Sequence, residues 1–474
     1  MDTKKTVIVG SGLSALLMAR MIKLYRNPEA DIVIVEKEPN IGGQFGSFNY
    51  GKYGYFDMGM HIYYESSIPE IDELITKIMP DEEWNILENN YKDIAGLFFN
   101  GKLQEGTAYV DLRNFPEEKW KKFVAEIFHA IRSNKDKKLH SGTNAYESLT
   151  NHFGQSVVDE VFVPILEKFY LTHPRNLDNV ATHLTTVNRV ALFEPEIMND
   201  LMKSDEIRAR ICYPEQMSLP PYRNNPQRGF YPKKYGMILV LEKLKSLLIS
   251  EGVQFLTSSV VSEAEVKDNE VTAVTITTNN NNSQIFPVRE IFWSAGLPSL
   301  ASSLKVDCSD LVYDKKQTEG LYVNFFFDKL PQMGKLYYFY SFDKGFRTYR
   351  VTNYTNYCPA AAEHGYPLCV EFWALPGDAK DEDSILAMAK GELKSYGVID
   401  DTYKVTFSKV EKPAGGGFPL PSVRNISNML TIKQRIEERG FKNVIPTGVL
   451  SDKNVFFIKD VLIDTYKKVT KNRT

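Results

Sequence analysis

The apolar positions open in a strand pattern, switch to a helix pattern and return to strand within the first 35 residues. Val7, Ile8 and Val9 form a continuous β-branched run that stops at Gly10. Leu16, Leu17, Ala19, Met21 and Ile22 then recur at the three-to-four spacing of a buried helix face. A second run, Ile32 to Val35, follows and ends on Glu36. Over 63–224 the pattern becomes amphipathic, as in Ile71–Met79 and Trp120–Ile131, and predicts a helical lobe. Beyond it, a helix is expected over Ile238–Ser250 and strands over Val253–Leu256, Val271–Thr277, Ile285–Val288 and Glu290–Trp293. The tract Asn279-Asn280-Asn281-Asn282-Ser283 reads as a hairpin loop. Residues 301–404 are strand-rich and aromatic, with one helix from Ser384 to Tyr396. The chain closes on a strand at Val444–Gly448 and a helix over Val455–Val469. No internal repeat is visible.

The turn between the first strand and helix reads Gly10-Ser11-Gly12-Leu13-Ser14-Ala15, a G-x-G-x-x-A motif with the flanks a dinucleotide fold requires. Gly10 permits the tight turn, Gly12 lets backbone approach a pyrophosphate, and Ala15 keeps helix and strand close. The N–H groups at Leu13 and Ser14 face the anion. Glu36 stands where an acidic side chain accepts from ribose hydroxyls.

The residues that follow select the nucleotide. Glu36-Lys37-Glu38-Pro39-Asn40-Ile41-Gly42-Gly43-Gln44 resembles the second glycine signature of FAD enzymes related to amine oxidases. Phe56-Asp57-Met58-Gly59-Met60-His61 is similar to that clan's D-x-G-x-H segment, whose backbone passes beside the flavin ring. The resemblance extends to protoporphyrinogen oxidases and UDP-galactopyranose mutases. It implies an α/β fold: a discontinuous Rossmann-type FAD domain from 1–62, 225–300 and 405–474, with 63–224 and 301–404 forming a mixed α+β substrate lobe. It further implies an adenine contact at Val260, a flavin-facing Gly448, non-covalent FAD, and Lys37, Gly42, Gly43, Gln44, Gly59 and His61 along the cofactor.

Two segments lean towards the mutase branch. Phe346-Arg347-Thr348-Tyr349-Arg350-Val351-Thr352 is similar to its F-Y-R-V-T strand, and Gly417-Phe418-Pro419-Leu420-Pro421-Ser422 to its Y-P-x-P-[ST] turn. The departures weigh against mutase chemistry. Phe418 replaces a tyrosine that grips diphosphate in that branch, Val449 replaces an arginine, and Gln44 stands where many relatives carry arginine.

Composition narrows the rest. With 57 basic and 60 acidic residues among 474, and no polybasic tract, nothing points to nucleic acid. Cys212, Cys308, Cys358 and Cys369 form no C-x-x-C pair and cluster with no histidine, so neither a metal site nor a disulfide framework is expected. Lys4-Lys5 before an apolar stretch mimics a secretory leader, but its removal would delete the phosphate turn. The expectation is a cytoplasmic protein without a membrane span, acting on a small molecule such as an anion or sugar nucleotide, in an oligomeric state the residues do not specify.

Two side chains are candidates for chemistry: His61 beside the flavin, and Arg350 as a bidentate anchor for an anionic group. Strand alternation places Tyr349 on the face opposite Arg347 and Arg350. The leading expectation is an FAD-dependent oxidoreductase in which hydride passes from substrate to flavin N5. The alternatives are a mutase-like sugar-nucleotide isomerase and a flavin-binding protein without turnover.

Overall fold

A computed structural model describes residues 4–133, 142–185, 187–221, 226–378, 381–412 and 419–471. Gly417 and Phe418 lie outside them. The chain forms two compact units, one from 1–85, 230–313 and 426–474, the other from 86–229 and 314–425. These bounds differ from the expected 62, 225, 300 and 405.

The first unit is built on a Rossmann-type sheet. Labelled in chain order within this unit, its main elements are β1 (Lys5–Val9), α1 (Leu13–Tyr25), β2 (Ile32–Val35) and α2 (Ile238–Ser250). Next come β3 (Gln254–Leu256), β4 (Ser259–Lys267), β5 (Glu270–Thr278) and β6 (Ser283–Trp293). The last two are β7 (Val444–Pro446) and α3 (Ile458–Thr470). The parallel order is β3-β2-β1-β6-β7. Strands β1 and β2 are almost wholly buried, which is why they read as unbroken apolar runs rather than alternating ones.

The two expected strands Ile285–Val288 and Glu290–Trp293 are one strand, β6. Its first half pairs antiparallel with β5, whereas its second half runs parallel to β1 and β7. Arg289 is skipped in the register with β1, a bulge that turns the strand from hairpin to parallel sheet.

The second unit carries a seven-stranded sheet. Its order is Val405–Glu411, Glu319–Phe327, Tyr366–Ala374, Thr348–Asn353, Tyr338–Ser341, Ala95–Phe99, Lys102–Gln104. The strand Val405–Glu411, expected with the cofactor domain, is the outer strand here, hydrogen-bonded to Glu319–Phe327. A helical layer contributes Glu117–Ser133, Ala145–Phe153 and Val163–Tyr170, whose Phe123, Ile127, Leu149, Phe153 and Leu166 are fully buried. Among the described residues no helix is long and apolar enough to cross a membrane.

Phe153 packs edge-on against Phe162 at 4.9 Å and has no solvent exposure. Phe153→Ala is therefore expected to lower stability by about 3–5 kcal/mol, read from the denaturant midpoint of the purified protein.

Candidate functional site

The C-terminal ends of β1, β6 and β7 converge on Ser294. Its backbone N–H and its hydroxyl both donate to the Val9 carbonyl, at 2.9 and 2.7 Å. Gly10 has φ +101°, and a Cβ there would collide with the Ser294 hydroxyl. Gly448, at φ +84°, would place a Cβ 3.1 Å from the Ser294 carbonyl oxygen. Both positions demand glycine for conformation and for space.

Gly12 is different. An added Cβ meets nothing nearer than the Gly42 carbonyl oxygen at 3.9 Å, so it would project into open space. Gly12 is also the N-cap of α1, makes no side-chain cap, and is followed by a first turn without an acidic residue. The positive end of this buried helix therefore carries no acidic residue of its own. Gly42 and Gly43 lie alongside. Gly42 donates to the Ser11 carbonyl at 3.1 Å and bridges Gly12, and a Cβ on Gly43 would sit 3.4 Å from the Gly12 Cα. Gln44 follows in a short helical turn, and Lys37 is an exposed residue after β2.

Glu36 is held firmly. One carboxylate oxygen accepts from the Ser11 N–H at 2.9 Å and its hydroxyl at 2.7 Å; the other accepts from the Glu38 N–H at 2.8 Å. The first oxygen is thereby saturated, and a lone pair remains on the second for a further donor. Its backbone meets β3 and β4, through Glu36 N–H to the Leu256 carbonyl at 2.8 Å and Ser259 N–H to the Glu36 carbonyl at 2.9 Å. That places Val260, in β4 and 41% exposed, close in the chain to the Glu36 backbone contact.

Asp57 is the residue whose role the sequence hid. It is fully buried and joins three segments. Its carboxylate accepts from the Ser47 and Tyr231 hydroxyls and from the Met237 N–H, the last at 2.9 Å. It thereby fixes the D-x-G-x-H segment to the start of α2. Gly59, at φ +87°, turns the chain towards His61, whose ring lies 5.0 Å from that of Phe45.

Two buried hydroxyls beside Gly448, Thr447 Oγ1 and Ser451 Oγ, have no hydrogen-bond partner among the described residues. Such groups ordinarily find one, and nothing in the local sequence pattern singles them out. Uncapped helix end, glycine cradle, anchored carboxylate and waiting hydroxyls suit a dinucleotide.

Arg350 belongs to the second unit, and its surroundings bear on two expectations. Its Nε donates to Glu371, which is 3% exposed, and the guanidinium lies 5.7–5.9 Å from the rings of Tyr338, Tyr340 and Tyr349. The charge expected to meet an anion already has a buried partner. Tyr349 is not on the far side: its hydroxyl donates to the other oxygen of the same Glu371. A register shift between Thr348 and Arg350 is the reason, since a bulge breaks strict alternation.

A family model described as an NAD(P)-binding Rossmann-like domain matches residues 8–78. No curated protein sequence matches the chain. Among solved structures, a reduced UDP-galactopyranose mutase is 16% identical, with TM-score 0.70 over 99% of this chain and 93% of that one. A putative protoporphyrinogen oxidase from Exiguobacterium sp. 255-15 is 15% identical, with TM-score 0.67 over 99% of both chains. A CLA-producing fatty acid isomerase from P. acnes is 14% identical, with TM-score 0.58 over 99% of both. The fold is therefore the one these structures share, as the glycine motifs implied; at such identities the likeness is one of fold.

Burial raises the Asp57 carboxyl to about 6, despite its three donors. A raised carboxyl stabilises the fold below its unfolded value near 3.8 and loses that contribution as pH climbs through about 6. Relative to Asp57→Asn, the wild type is expected to lose roughly 2 kcal/mol of stability between pH 4 and 6. Paired denaturation curves across that range measure the difference.

Proposed function

We propose that the first unit binds FAD non-covalently and that the protein is an FAD-dependent oxidoreductase acting on a small molecule. The observation that carries the reading is the open, uncapped approach at Gly12, flanked by Gly42–Gly43 and by the anchored Glu36 carboxylate. In this reading the diphosphate lies on the N–H groups of Leu13 and Ser14, with Ala15 keeping α1 against the sheet. Glu36 accepts from the adenosine ribose, and the Val260 backbone meets adenine. The Gly42–Gly43 loop, with Lys37 and Gln44 at its ends, follows the diphosphate. Gly59, His61 and Gly448 border the flavin end, where Thr447 and Ser451 offer hydroxyls.

FAD, when bound, supplies a two-electron acceptor. The chain's part is to hold it, exclude water and orient the substrate. His61 lends an imidazole in this region, and a role in proton transfer belongs to this proposal. Cys212, Cys358 and Cys369 are buried free thiols, and Cys308 is a partly exposed one, which supports a reducing, cytoplasmic setting. Oxidoreduction is preferred over sugar-nucleotide isomerisation because the Arg350 charge is cancelled by Glu371 and Val449 supplies none.

The purified protein is expected to be yellow and to release free FAD on acid precipitation. Gly12→Val, whose side chain would fill the approach, is expected to leave a folded, colourless protein. A colourless wild type that takes up no added FAD rejects the reading. For the reaction class, substrate is expected to bleach the flavin anaerobically and an acceptor to restore it. Isomerisation of UDP-galactopyranose by dithionite-reduced protein, without net redox change, would instead establish the mutase reaction.

A further inference from the structure

The sequence contains a single Asn-Gly step, Asn100-Gly101. These two residues are the whole turn between the strands Ala95–Phe99 and Lys102–Gln104, where Phe99 stands opposite Lys102. Both have positive φ, +52° and +72°, as in the type I′ turn for which Asn-Gly is a favoured pair. Both are exposed.

Hairpin chemistry accounts for the residue types, but the turn has a third member. Asp343 lies in the connection between the strands Tyr338–Ser341 and Thr348–Asn353. One oxygen of its carboxylate accepts from the Asn100 N–H and the other from the Gly101 N–H, each at 2.7 Å. The sheet sets this reach. Tyr338–Ser341 runs parallel to Ala95–Phe99, and the Phe342 N–H extends the pairing to the Phe98 carbonyl at 2.9 Å.

An Asn-Gly step carries a latent reaction of its own. Once the Gly101 nitrogen loses its proton, it can attack the carbonyl carbon of the Asn100 side chain. The new N–Cγ bond closes a five-membered imide, the Cγ–Nδ2 bond breaks, and ammonia leaves with a proton equivalent to the one the nitrogen gave up. Water then opens the ring at either carbonyl, leaving aspartate or isoaspartate without any change of oxidation state. Asp343 opposes the first step twice. Its negative charge beside the Gly101 N–H disfavours the amide anion that must form there. Its paired, charge-assisted hydrogen bonds also hold both residues in the left-handed turn, which has to open before the ring can close.

We propose that Asn100 is a deamidation site held unreactive by Asp343. The products matter to the sheet. Isoaspartate adds a carbon to the main chain of a two-residue turn, and either product sets a second carboxylate beside Asp343. The register of Lys102–Gln104, the outermost strand, depends on that turn. The site lies in the second unit alone and does not depend on the flavin.

The test incubates full-length wild type, full-length Asp343→Asn and a synthetic peptide of residues 97–104 in the same mildly alkaline buffer. Deamidation at Asn100 is followed by peptide mapping with mass spectrometry, and isoaspartate by enzymatic methylation. Wild type is expected to react at least about tenfold more slowly than the peptide, and Asp343→Asn at least about tenfold faster than wild type, the worth of one hydrogen bond to a charged group. The other asparagines in the same digests are expected to react equally in both proteins, and Gly101→Ala in the Asp343→Asn background to slow the reaction again. Wild type as fast as the peptide, or no acceleration in Asp343→Asn, would overturn the proposal. So would equal acceleration at every asparagine, which marks general loosening, or a slower reaction in Asp343→Asn, which would make Asp343 the base that starts it.

Discussion

Ser294 is the point on which the first unit depends. This one residue fills the space that a Cβ at Gly10 or Gly448 would need, and its N–H and hydroxyl both close on the Val9 carbonyl. Three strand ends, drawn from residues 9, 293 and 446, are thereby brought within van der Waals reach with no room for side chains between them. The crevice beyond the carboxyl ends of a parallel sheet is where such folds bind ligands. Here that crevice is shaped by what the backbone lacks, because Gly10 and Gly448 stay bare so that strands meet, while Gly12 stays bare so that something else can enter.

The acidic residues follow the same division. Glu36 is fixed by Ser11 and Glu38 yet keeps one lone pair available, which suits a group that must greet a ligand in one orientation. Asp57 gives its carboxylate wholly to the protein, tying Ser47, Tyr231 and Met237 together at a cost in desolvation that holds its proton more tightly than usual. The first carboxylate addresses what binds; the second sets the loop that carries Gly59 and His61.

Legibility in the sequence followed the distance over which the information acts. The turn at Gly10–Ala15, the strands on either side and Glu36 were readable because spacing within 35 residues determines them. The helix Ile238–Ser250 was read to the residue. What failed was non-local. Only a partner strand reveals that Arg289 is a bulge fusing two expected strands. Only the pairing of Thr348–Asn353 with Tyr366–Ala374 reveals that Tyr349 and Arg350 address one carboxylate. The orphaned hydroxyls of Thr447 and Ser451 likewise have meaning only once β7 is seen beside β6.

The pair Arg350–Glu371 shows how one motif can survive while its work changes. Two charges so deeply placed are kept because removing either partner strands the other in a medium that solvates it badly, a penalty of about 3–5 kcal/mol. Arg350 already has its counter-ion within the sheet, so an arginine in a familiar segment is by itself no evidence of a familiar ligand.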